Sequence, residues 1–283
     1  MEGSKDLIYA QKVASFLGTN HKEIVFTPEQ GLNAIPNVIR DLESYDITTV
    51  RASVGMWLIS EWISNNTSDV VLMSGEGSDE LFCGYLYFHY APTTEELENE
   101  SLRLVKDLYL YDVLRADRCV SSHGLELRVP FLDKKLVDLC LSIPGELKKP
   151  KHGFEKYLLR MAFKDGWLPE DILWRRKDGF SDGCEHPKKN WFEYIEEHAN
   201  KLFSDNELKY SKLPSKEALY YRTIYNELFP TYQPTYDFWL PKCTAYPGSK
   251  RGSRKTWQKL SFAHRDVRPL SRAHMEVVQG ICV

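Results

Sequence analysis

The run Val70-Val71-Leu72-Met73 passes directly into Ser74-Gly75-Glu76-Gly77-Ser78-Asp79-Glu80, and this junction constrains the fold more than any other stretch. A short continuous apolar run without polar alternation reads as a buried strand of a parallel sheet covered on both faces. Two glycines straight after it permit a tight turn and close backbone approach to a ligand. In open α/β sheets ligands gather at the carboxyl ends of strands, so this turn is the first candidate site. N–H groups exposed at such a turn suit a phosphate. The three carboxylates, Glu76, Asp79 and Glu80, would repel a bare triphosphate unless Mg²⁺ or a cationic amine sits between. Taken alone, the string reads more readily as a Gly/Ser turn whose solvated acids cap a helix.

The flanking segments supply the rest of an α/β rhythm. Ile8, Val13, Ala14 and Leu17 recur at helical spacing over residues 5–17, and Gly18 stops that helix. Residues 21–26, HKEIVF, read as a strand. Thr27 caps a helix over residues 28–42, with Glu29 and Gln30 in its first turn. Residues 45–51 read as a loop and 52–64 as an apolar helix. From residue 93 onward the pattern is helical, with no strand alternating among the helices. The expected architecture is a three-layer α/β portion over roughly residues 1–90 packed directly on a mainly helical portion over roughly 93–240.

Charge divides the chain differently. Residues 244–283 hold eight Lys/Arg and two Asp/Glu, a net of +6, whereas residues 1–243 carry −9. The stretch 248–255, GSKRGSRK, has no apolar period, so the tail is expected to be disordered. Such a tail can bind nucleic acid or acidic membrane, or be solvated without function. The whole-chain charge of −3 excludes an electrostatic nucleic-acid binder, and no nucleic-acid partner is expected. The six cysteines form no C-x-x-C pair, which argues against zinc. No apolar run is long enough to span a membrane and the first residues do not form a signal peptide, so the expected location is cytoplasmic.

Four further strings lie around the glycine turn: YDITTVRAS (45–53), YDVLRADR (111–118), GLELRVPFLD (124–133) and WRRKDGFSDG (174–183). With SGEGSDELFCGYLYFH, at these spacings, they resemble the synthetase portion of glutamine-hydrolysing asparagine synthetases from about residue 2 to Lys242. The shorter S-G-E-G-x-D-E core is shared with beta-lactam synthetase, a PP-loop alternative; YLYFH and ESYDITTVRAS favour asparagine synthetase. The resemblance implies a PP-loop (adenine nucleotide alpha-hydrolase-like) parallel sheet with flanking helices. It implies ATP and Mg²⁺ as cofactors, aspartate as substrate, a beta-aspartyl-AMP intermediate, and ammonia delivered by a separate glutaminase domain. Ser74, Gly75 and Gly77 are then nucleotide contacts. Glu76 supports the intermediate and accepts the ammonia proton, and Asp79 is a Mg²⁺ ligand. Arg115 and Asp112, at i and i+3, share the cleft with Glu80, Thr48, Thr49 and Arg51. Lys177 reaches the alpha-phosphate. Arg128 reads either as a structural tie or as a substrate contact. His89 reads as a packed, hydrogen-bonded residue, and His123 as a helix end beside Gly124.

The resemblance also fixes what is not matched. The amino-terminal cysteine nucleophile, the glutaminase domain and the serine-glycine-glycine-leucine-aspartate-serine-serine loop have no counterpart among residues 1–283, and the likeness stops near Lys242. The expectation is a partial synthetase domain over 1–243 followed by a divergent basic tail. By itself this polypeptide is expected to turn over poorly, and a catalytically inactive remnant is the competing reading. A homo-oligomer is among the expected partners.

Overall fold

The computed structural model describes residues 1–177, 189–232 and 238–239. The part of the 174–183 string after Lys177 and the basic tail lie outside the described residues. The architecture is mixed α/β, mostly helical, with one small parallel sheet. In chain order it runs α1 (Lys5–Leu17), α2 (Pro28–Leu42), α3 (Ile47–Asn66), β1 (Val71–Met73), α4 (Ser78–Leu81), α5 (Thr94–Asp107), α6 (Asp112–Ser121) and β2 (Glu126–Arg128). It continues with α7 (Lys134–Ser142), α8 (Gly145–Lys148), α9 (Tyr157–Ala162), α10 (Glu170–Leu173), α11 (Trp191–Leu202), α12 (Asp205–Ser211) and α13 (Lys216–Leu228).

The helix punctuation follows local chemistry. Gly18 takes the left-handed conformation that ends α1. Thr27 and Gln30 bond reciprocally at the start of α2, satisfying two donors that the first turn leaves without partners. Apolar residues of α2, Ile35, Val38, Ile39 and Leu42, are buried against Val50, Val54 and Trp57 of α3. Trp191 and Ile195 of α11 and Tyr221 and Tyr225 of α13 close the same core. A second cluster gathers Cys83, Tyr87, Phe88, Leu97 and Leu104 beneath the turn after β1.

Three expectations are corrected. Residues 21–26 are not a strand: β propensity needs a ladder partner, and this segment pairs with none of the described strands. Residues 47–51 are helical, because Asp46 accepts from the Thr49 N–H and starts α3 five residues earlier than expected. The helical half contributes a strand, β2, which pairs in parallel with β1 through Leu72 opposite Leu127. The stretch 94–121 forms two helices, α5 and α6, separated by a short 3-10 turn at Leu108–Leu110.

The strand over 71–73 forms as expected, but it is not covered on both faces. Val71 is 42% exposed and Met73 74% exposed. Val70, Ile8 and Leu17 are also exposed. Unpaired sheet edge and apolar side chains in water favour association with other chains. The chain is therefore expected to bind an apolar dye and to aggregate in its native state. Substituting Val71→Lys and Met73→Lys together should reduce both. It should leave the denaturant midpoint nearly unchanged, because exposed substitutions typically shift stability by only about 0.5 kcal/mol each. Unchanged dye binding in the double variant would place the sticky surface elsewhere.

Candidate active site

The backbone first brings the turn to the end of the sheet. The Ser74 N–H donates to the Arg128 carbonyl at 2.9 Å, so the chain leaves β1 beside the end of β2. Gly77 has φ +90°, and a Cβ there would lie 2.3 Å from Leu132 Cδ2; backbone conformation and packing both require glycine. Gly75 differs: nothing lies within 4 Å of where its Cβ would be, so its backbone is open to an approaching ligand. Gly84 closes the turn from below. Its N–H donates to the Asp79 carbonyl at 2.7 Å. A Cβ on Gly84 would lie 1.9 Å from Asp79 Oδ1 and 2.8 Å from its Cα. Gly84→Ala should therefore displace Asp79 at a cost of about 1–3 kcal/mol, typical of overpacking, read by urea unfolding. A neutral effect would mean that the turn yields freely.

Two charge clusters form on this frame. In the first, the Arg115 guanidinium Nη2 donates to both oxygens of Glu76, at 3.0 and 3.1 Å, and to Asp112 Oδ1 at 3.0 Å. Arg115 is 5% exposed. Burial opposes its charge, but Asp112 and Glu76 outweigh burial and raise its pKa further. Burial pushes the Glu76 carboxyl above its usual range; the Arg115 charge pulls the other way without cancelling it, and the Asp112 charge adds to the rise. Glu76 is thus a carboxylate nearer to neutral titration than a solvated one, while staying within reach of a cation.

Tyr85 extends this cluster inward. Its hydroxyl lies 2.5 Å from Glu80 Oε1 and 3.2 Å from Asp112 Oδ2. One hydroxyl donates one proton, so the second carboxyl must donate back or share a proton. Burial, with the Asp112 charge beside it, pushes Glu80 up to about 8, so Glu80 holds that proton near neutral pH. Glu80 is 3% exposed and faces Tyr85, beneath the cleft rather than lining it.

The second cluster centres on Asp79. Lys156 Nζ approaches Oδ1 at 3.0 Å and Lys177 Nζ approaches Oδ2 at 3.1 Å. Burial favours protonation of Asp79, but the two ammonium groups overcome it and hold the carboxyl at about 2. Burial lowers Lys156; for Lys177, burial is outweighed by Asp79 and its pKa is raised. Mg²⁺ usually takes one or two carboxylates together with substrate phosphates. Here both oxygens of Asp79 face ammonium groups, and no cluster of three metal-binding side chains occurs among the described residues. As placed, the Asp79 carboxylate is occupied by two ammonium groups rather than open to a resident Mg²⁺. The lysines are the groups positioned to meet phosphate charge.

The remaining expected residues make contacts of their own. The Thr49 hydroxyl donates to Asp46 at 2.7 Å and helps cap α3. Arg51 makes a two-pronged pair with Glu217 of α13, at 3.1 and 2.5 Å, and stacks over Phe192. Thr48 is partly buried in the same first turn. Arg128 pairs with Glu126 on the exposed strand surface. His89 is hydrogen-bonded, as expected of a packed residue, with Nε2 2.8 Å from Glu155. Sequence reasoning missed Lys156 and Tyr85. Tyr85 carried a weak signal, lying inside the YLYFH string; Lys156 carried none.

With this geometry in view, the chain can be set beside known proteins. The asparagine synthase family matches residues 1–104 and 91–264. The chain belongs to this family. It is 50% identical over 253 residues to the glutamine-hydrolyzing asparagine synthetase of Gallus gallus and 48% identical over 251 residues to that of Homo sapiens. Each match takes in 86% of this chain and 45% of the relative. The chain therefore spans a little under half the length of these curated asparagine synthetases. Among the described residues, no helix of this family member is long and apolar enough to cross a membrane.

Proposed function

We propose that residues 1–243 form the synthetase unit of an ATP-dependent asparagine-forming ligase, on a PP-loop type sheet, with 244–283 a separate basic tail. The observation that carries this reading is the pairing of two clusters at one strand end. A lysine pair suited to phosphate meets the Asp79 carboxylate on the same short segment that carries Glu76, a partly buried, arginine-held carboxylate suited to proton transfer.

In the proposed reaction an oxygen of the aspartate side-chain carboxylate attacks the alpha-phosphorus of ATP. The bond to the bridging oxygen breaks and pyrophosphate leaves with its electron pair. Lys177 stabilises the charge that grows on the phosphate oxygens. Ammonia then attacks the acyl carbon, AMP departs with the acyl-oxygen electrons, and the nitrogen sheds one proton. Glu76 receives that proton, since its raised pKa brings it closer to the operating pH. Gly75 gives the nucleotide backbone access beside Ser74. The relatives are named for glutamine hydrolysis; we take ammonia derived from glutamine as the nucleophile. Buried free thiols at Cys83, Cys119 and Cys140 suit a cytosolic, reducing setting.

The test joins this chain to the amino-terminal portion of the Gallus gallus relative and supplies ATP, Mg²⁺, aspartate and ammonium. Equimolar asparagine, AMP and pyrophosphate are expected. A folded chimera that binds ATP yet forms no aspartate-dependent pyrophosphate would overturn the proposal.

A further inference from the structure

Phe238 and Trp239 link the main core to the candidate site. The Phe238 ring meets Tyr45 edge-on at 5.9 Å. Tyr45 packs in turn on Tyr225 of α13 at 5.0 Å and carries the Arg222 guanidinium over its face at 4.6 Å. The next residue reaches the start of α3. The Trp239 N–H donates to Asp46 Oδ1 at 2.8 Å, while Asp46 Oδ2 accepts from the Thr49 N–H and hydroxyl. Asp46 is buried, so both of its oxygens need such donors. This bond fixes the Trp239 backbone and takes nothing from its side chain.

The side chain has a different neighbour. Its indole lies 5.7 Å from the Tyr85 ring, tilted by 53°. Tyr85 also stacks on Tyr87 at 5.8 Å, with the rings within 6° of parallel. Two aromatic contacts therefore set where the Tyr85 ring lies, and the ring sets where its hydroxyl points. That hydroxyl is 3.2 Å from Asp112 Oδ2, longer than most O–H···O bonds, so a small swing of the ring breaks the contact. Asp112 Oδ1 holds Arg115, and Arg115 holds Glu76. A continuous line of contacts thus runs from residue 239 to the carboxylate in the glycine turn.

We infer that Trp239 is a positioning residue for the proposed reaction: its ring holds Tyr85 so that Asp112, and through it Arg115, keeps Glu76 in place for the attacking nitrogen. The inference rests on the reading above for the role of Glu76. Trp239 also packs against the cluster of Cys83, Tyr87 and Phe88, so cover of apolar surface is the competing role. The two roles ask for different side chains. A flat ring can take the same tilted contact with Tyr85. An aliphatic side chain covers apolar surface equally well but leaves the Tyr85 ring free to turn.

The test uses Trp239→Phe, Trp239→Leu and Tyr85→Phe, in the chimera and in the full chain. Trp239 is only partly buried, and its bond to Asp46 survives each substitution, so the variants should fold. In the chimera, Trp239→Leu should lower kcat for asparagine about tenfold to a hundredfold, the scale of loss that a misplacement of about 1 Å brings, and leave ATP affinity within about twofold. Trp239→Phe should recover most of that rate. Tyr85→Phe keeps the ring and removes the hydroxyl; adding Trp239→Leu to it should lower kcat little further, because both act on one line of contacts. Equal kcat in the Phe and Leu variants, or losses that multiply in the double variant, would overturn the assignment and leave Trp239 as cover. Urea unfolding of the full chain repeats the cycle without catalysis. The change that Trp239→Leu makes in the unfolding constant should be at least about threefold smaller in the Tyr85→Phe background. Strict additivity there would overturn the inference even with an inactive chimera. Failure separates from that of the parent proposal: a chimera that makes asparagine with multiplying losses refutes only this inference. A coupled unfolding cycle with no aspartate-dependent turnover refutes only the other, and the hold of Trp239 on Tyr85 stands.

Discussion

Replacing Arg115 with methionine is expected to destabilise the fold by about 3–5 kcal/mol, the usual result of removing one member of a buried ion pair. The guanidinium is 5% exposed and binds Glu76 and Asp112 at once. Methionine matches much of its volume, so cavity formation contributes little, and the loss reports two carboxylates left without their cation. The pH dependence fixes the cause. Glu76 already has a folded-state pKa above its usual value through burial, and losing Arg115 removes the charge that opposes that rise. A carboxyl whose folded pKa is raised contributes stability below its unfolded pKa and loses it as pH rises through the folded one. The variant should therefore lie closer to wild type near about pH 5 than near about pH 8. Urea unfolding at both values checks this. A deficit that is the same at both would assign the effect to packing, including the lost contact of Nη1 with Met56 Sδ at 3.8 Å.

That arginine was readable from sequence because its partner sits one helical turn away, Asp112 at i and Arg115 at i+3. The capping pair Thr27 and Gln30 was readable for the same reason, as was the strand before the glycine turn. What escaped depends on partners far along the chain. Lys156 meets Asp79 across a separation that no local period encodes, and it stands in a turn whose conformation would sooner predict glycine. Arg51 likewise pairs with Glu217, 166 positions away. The strand at 126–128 alternates Glu, Leu and Arg, but three residues give too little pattern to stand out from a helical surrounding. Burial of 71–73 was misjudged because an apolar run shows that a strand can be covered, not that a covering layer is packed on it.

Glu76→Gln is the substitution expected to affect catalysis most. Its side chain retains the size and one acceptor oxygen of the carboxylate, so it can still accept from Arg115. Arg115 in turn keeps its contact with Asp112 at 3.0 Å, and no buried cation is left unpaired. What the amide cannot do is take the proton that the attacking nitrogen sheds. In the chimera, asparagine formation should fall by about 10²–10⁴-fold, the usual contribution of a positioned general base. ATP binding should persist, because the lysine clasp and the open backbone at Gly75 are untouched. Isotope exchange between pyrophosphate and ATP in the presence of aspartate separates the half-reactions. If Glu76 acts mainly on the ammonia proton, exchange survives better than asparagine formation; if it also supports the adenylate, both fall while nucleotide affinity holds. Either outcome requires that turnover collapse. A Gln variant turning over within about threefold of the parent, less than the smallest loss expected for a proton-transfer group, would remove Glu76 from the chemistry and leave it as the counter-charge that keeps Arg115 buried.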